Sequence, residues 1–146
     1  MHFGLTKARA VEKLDALFGA PVARGINTGC GRRYTEVVWD DLAVEFRAGT
    51  FSGYRYTVGG YPLTTPGSPH EPSPPKTHSP RLATATGISL DSTLAELRVA
   101  YRGLRPIGVD NWRAPNGLVF VDNAGHDPEP PSSRLVEIKI GTCGAF

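Results

Sequence analysis

A short pattern occurs twice in this chain: Gly4-Leu5-Thr6 returns as Gly87-Ile88-Ser89. At the same offset Val11 aligns with Leu94, Leu14 with Leu97 and Phe18 with Tyr101. An internal repeat constrains a fold strongly, because each copy must build the same supersecondary unit. In both copies a hydroxyl residue, Thr6 or Ser89, stands where a helix N-cap is wanted. Apolar residues then recur at helical spacing, as Val11, Leu14, Leu17 and Phe18 in the first copy and Leu90, Leu94, Leu97 and Tyr101 in the second. Each set forms one stripe that faces a core. Gly19, followed by Ala20-Pro21, and Gly103 close the two helices, since glycine suits the C′ position and proline cannot continue a helix.

The segments after the two helices also match. Residues 34–39 read as a strand, Asp40-Asp41 as a tight turn, 42–46 as an alternating half-buried strand and 51–58 as a third strand. In the second half, 109–113, 118–122 and 134–140 read as strands, and Pro115-Asn116-Gly117 is a hairpin signal because Asn-Gly accepts positive φ. The fold class is therefore α+β: a tandem α-β-β-β pseudo-repeat with two helices packed on antiparallel sheet. Trp39 and Trp112 end the first strand of each meander and read as sheet-packing residues. The expected organisation is a first repeat at 1–60, a Pro-rich linker loop with a short edge strand at 61–86, and a second repeat at 87–146. Prolines crowd 61–81, which forbids a helix or a central strand there.

The chain has 146 residues, of which 40% are hydrophobic and 21% charged, ordinary values for a globular protein with a real core. Its formal charge is +2, and only Arg32-Arg33 are adjacent basic residues. A nucleic-acid binder is expected to carry a clustered basic face, so that partner is not expected. No segment reaches the roughly 20 apolar residues of a transmembrane helix. The abrupt start reads as a mature domain whose signal or lipid anchor lies outside this chain. Cys30 and Cys143 have no metal-spaced partner. One disulfide between them is the preferred reading and implies an oxidising compartment; two free thiols are the alternative. The expected location is secreted or cell-envelope.

Few residue patterns here carry chemistry. No phosphate loop, dinucleotide fingerprint, zinc-protease motif or nucleophile elbow is present. No catalytic residue, cofactor or metal site is expected. The loop with Asp122, Asn123 and Asp127 offers a weak ligand set for a cation and reads equally as a solvated turn. Surface recognition remains. Tyr54, Arg55, Tyr56 and Tyr61 lie on or just after the third strand, and Tyr and Arg are enriched at protein interfaces. With Trp112 they form the candidate binding set, although the tyrosines also fit a core. The first functional reading is an exported, non-enzymatic binding or inhibitor-like module whose partner is another envelope or extracellular protein. The second is a small enzyme or ligand-binding protein with a pocket between helix and curved sheet, for which Glu45 and Asp110 are the strand-borne candidates. The third is a structural envelope protein.

Phe3-Gly4-Leu5-Thr6-Lys7 and the later Gly19-Ala20-Pro21 resemble the opening of the β-lactamase inhibitory protein family and of the outer-membrane assembly lipoproteins of the SmpA/OmlA type. In the inhibitory protein two such helix-then-sheet units stand in tandem. The second half, from Gly87-Ile88-Ser89-Leu90-Asp91-Ser92-Thr93-Leu94 to Gly141 and Cys143, is similar to uncharacterised secreted proteins or lipoproteins of actinobacteria. These resemblances imply a fold and export, and they assign no site residue.

Overall fold

The computed structural model describes residues 3–28, 31–58, 82–123 and 131–141. The chain divides into two compact units, one formed by residues 1–80 with the segment from 141, the other by 81–140.

In the first unit α1 (Lys7–Phe18) precedes β1 (Ala23–Asn27), β2 (Tyr34–Trp39), β3 (Leu42–Arg47) and β4 (Thr50–Thr57). Each strand pairs antiparallel with the next. The start of α1 is stitched to the start of β4: the Lys7 amide donates to the Gly49 carbonyl at 2.8 Å, and the Phe51 amide donates to the Leu5 carbonyl at 2.7 Å. The far end of α1 is tied to β2, where the Trp39 indole donates to Asp15 Oδ1 at 3.0 Å and to the Gly19 carbonyl at 3.1 Å. Ala10 and Leu14 face the sheet, whereas Leu17, expected in the stripe, is 64% exposed.

In the second unit α2 (Leu94–Ala100) precedes β5 (Arg105–Gly108), β6 (Asn111–Arg113), β7 (Val119–Asp122) and β8 (Leu135–Ile140), again paired antiparallel in sequence order. The same stitch recurs. The Leu94 amide donates to the Ser133 carbonyl at 2.8 Å, and the Leu135 amide donates to the Ser92 carbonyl at 3.0 Å. Leu94 and Leu97 are fully buried, and the Tyr101 and Phe120 rings meet with centroids 5.3 Å apart.

The α+β class and the antiparallel pairing are as read from the sequence, and four details are corrected. Each unit has four strands after its helix, where three were expected. The extra ones, β1 (Ala-Arg-Gly-Ile-Asn) and β5 (Arg-Pro-Ile-Gly), contain glycine and proline and no alternation, so they form through backbone pairing with a neighbour and not through propensity. The second helix starts after Thr93, not Ser89. Thr93 and Glu96 make a complete capping box, while Ser89 sits in a turn closed by the Ser92 amide. Residues 82–86, expected as an edge strand, form turns held by Thr84 and Ile88. Asp110, expected in a strand, occupies a turn at φ 60°.

A β-bulge decides which way the aromatic residues of β4 point. Phe46 lies opposite Phe51, but Glu45 lies opposite Gly53, so Ser52 is the extra residue; its hydroxyl donates to the Glu45 carbonyl. Tyr54 and Tyr56 therefore return to the Phe51 side, opposite Val44 and Leu42. Leu42 in turn lies opposite Trp39, whose indole bonds the helix, so this is the helix-covered face.

Candidate functional site

The alternation of strand side chains leaves the first unit with a second face that carries no helix. Tyr34 and Glu36 on β2, Ala43, Glu45 and Arg47 on β3, and Arg55 on β4 share it by register: Glu36 opposes Glu45, and Ala43 opposes Arg55. Glu45 is 3% exposed in mid-strand, and Arg47, two residues on, places Nη2 3.8 Å from Glu45 Oε2. Tyr34 feels the same group. Burial pushes its phenol above the ordinary tyrosine range, the Glu45 and Glu36 carboxylates push it further up, and Arg55 and Arg47 partly oppose the shift. Two carboxylates, two guanidiniums and a phenol are thus gathered on one sheet surface.

The candidate binding set is divided by this geometry. Tyr54 is half-buried and Tyr56 is 7% exposed, both on the helix-covered face, while Arg55 points to the charged face. Tyr61 lies outside the described residues, as do Cys30, Cys143 and Asp127. Trp112 is buried opposite Phe120; its indole donates to Asp122 Oδ2 at 2.9 Å, and the Arg98 guanidinium stands 4.8 Å from its ring centre. Tyr34, Glu36 and the Glu45–Arg47 pair belong to the charged face but not to the candidate set read from the sequence. Their signal was the polar parity of 34, 36, 45 and 47 within strands that otherwise read as apolar.

Glu45, a strand-borne candidate for an enzyme, lies on the face away from the helix, and the backbone carbonyl of Asp110 accepts from the Asp122 amide. Asp122 accepts from Trp112, and Asn123 Oδ1 accepts from the Arg134 amide. Among the described residues no group of three or more His, Cys, Asp or Glu is placed to hold a metal ion. A shallow groove of about 510 Å³ runs beside α2 and is lined by Ile88, Ala95, Val99 and Ala100 among others. Its one carboxylate, Glu96, already accepts from the Thr93 amide and hydroxyl. The groove offers apolar contact, with no nucleophile and base held together. No helix of the described residues is long and apolar enough to cross a membrane. No family model, curated protein or solved structure matches the chain.

Proposed function

We propose that this chain is an exported, non-enzymatic binding module that engages another protein through the helix-free face of its first unit. One observation carries the reading: the half-buried Glu36, Arg47 and Arg55 rim a sheet surface on the side away from the unit's own helix, around a buried centre of Tyr34, Val38, Ala43 and Glu45. Arginine and tyrosine are the residue types that anchor interfaces, and mixed charges give specificity and a salt-sensitive association rate. The two units are best understood as diverged copies of one helix-plus-meander element, since the Lys7–Gly49 and Phe51–Leu5 stitches have counterparts in Leu94–Ser133 and Leu135–Ser92. Export rests on the expectation that Cys30 and Cys143 pair as a disulfide, and intact mass with and without reductant checks it.

The test is affinity capture from envelope and culture-supernatant extracts with wild type and an Arg47→Ala/Arg55→Ala variant whose melting temperature has been measured. A stoichiometric partner held by wild type and lost from a folded variant supports the reading. Equal capture by both sinks it, and moves attention to the groove beside α2.

A further inference from the structure

The first strands of the two units, β1 and β5, differ in what they offer a neighbour. β5 is blunted: Pro106 has no N–H to donate, and the register slips between Pro106 and Gly108. β1 carries no such guard. It pairs with β2 in unbroken register, from Ala23 opposite Val38 to Asn27 opposite Tyr34. Arg24, Gly25 and Ile26 are all exposed, Ile26 to 61%. Among the described residues β1 has no second strand beside it. An open edge of this kind is a template for another strand.

Charge identifies the occupant. The end of the unit at Asn27 carries the exposed Arg32 and Arg33, just before β2. The end at Ala23 lies by Val38, and β2 runs on from there into Asp40 and Asp41, with Asp15 bonded to Trp39 at the same end. A second copy added antiparallel brings the basic end of each copy to the acidic end of the other. A two-fold axis at Gly25 also sets Arg24 opposite Ile26 of the other copy, so that no like charges face directly across the pair. We infer that β1 is the interface of a homodimer formed by antiparallel β1–β1 pairing about Gly25. The contact is isologous and closes on itself, so it ends at a dimer. It uses none of the residues proposed for partner recognition, and either reading can fail alone.

Sedimentation velocity of the full chain, from micromolar to submillimolar concentration, tests the inference. A monomer–dimer equilibrium is expected, with amide exchange at Arg24 to Asn27 slowing as concentration rises. Ile26→Lys places a cation opposite Arg24 and should weaken the dimer by roughly tenfold, while Ile26→Glu should tighten it by a similar factor. Both substitutions are at an exposed site, so the fold should tolerate them, and a melting curve checks this. Arg33→Glu and Asp41→Lys should each weaken self-association, and an equimolar mixture of the two should recover it. A monomer at all concentrations overturns the inference. So does a dimer that ignores both Ile26 substitutions, or a mixture that associates no better than its components.

Discussion

Trp39 and Trp112 each lie on the second strand of their unit and hold different things. Trp39 fastens the C-terminal end of α1 to the sheet, through Asp15 and the Gly19 carbonyl. Trp112 bonds a strand carboxylate, Asp122, and the Arg98 guanidinium of α2 stands over its ring. Helix length explains the difference. α1 has 12 residues and α2 has 7, a deficit of more than one turn. The shorter helix is also the better capped: Thr93 and Glu96 exchange hydrogen bonds, whereas Thr6 makes no side-chain cap bond. A short helix has fewer internal bonds to offset its costly nucleus, so its ends must be held more firmly. Common to both units is the backbone stitch between the helix start and the last strand. That stitch sets the helix position, and the side-chain devices vary around it.

The comparison can be broken first at two glycines. Gly141 belongs with the first unit and has φ 64°; a Cβ there would strike the Ser52 carbonyl and crowd Phe3 and Gly53. Gly117 in the second unit has φ 85°, but its Cβ would find Ile140 at 3.9 Å, an ordinary contact. Gly141→Ala should cost about 4 kcal/mol, combining backbone strain and overpacking. Gly117→Ala should cost about 1 kcal/mol from strain alone. Urea denaturation measures both, and equal costs would remove the close approach at Gly141.

The tryptophans come next. Trp112→Phe should cost about 2 kcal/mol, because it leaves a fully buried carboxylate one donor short. Trp39→Phe should cost about 1 kcal/mol, since its partners are only partly buried. The reverse order in thermal melts would contradict the roles given to the two indoles.

The caps are a smaller contrast. Thr93→Ala should cost about 1 kcal/mol and Thr6→Ala almost nothing. The box also adds a pH signature. Hydrogen bonds from the Thr93 amide and hydroxyl hold the exposed Glu96 carboxyl below the ordinary glutamate value near 4.5. A depressed folded-state pKa gives stability that is complete above the unfolded value and fades as pH falls through the folded one. Melting curves of wild type should therefore lose part of their lead over Thr93→Ala below that value, and a constant gap would argue against the box. The smallest effect is a gain. Ala48 sits at φ 48° in the turn between β3 and β4, followed by Gly49 at φ 76°. Asn at the first position suits such a turn, so Ala48→Asn should stabilise by about 0.5 kcal/mol, read as a rise in melting temperature.

Much of each meander was legible because its central strands announce themselves. Val37, Val38, Val44, Phe46, Val119 and Phe120 are apolar, β-favouring and buried. The edge strands were not, since a strand bonded on one side needs only a neighbour. The start of α2 was misread because the recurring Gly87-Ile88-Ser89 outweighed Thr93-Leu94-Ala95-Glu96, a capping-box spelling that was present in the chain. Of the candidate site, Arg55 was found and its company was not.

Local chemistry written along the chain was enough to determine two helices, the antiparallel meanders and their principal turns, because periodicity and turn residues act over a few neighbours. Which face a side chain joins was decided by tertiary structure. One unpaired residue, Ser52, turns Tyr54 and Tyr56 toward the helix and leaves Arg55 with Tyr34, Glu36, Glu45 and Arg47, because side chains alternate with period two and a single bulge reverses every residue beyond it.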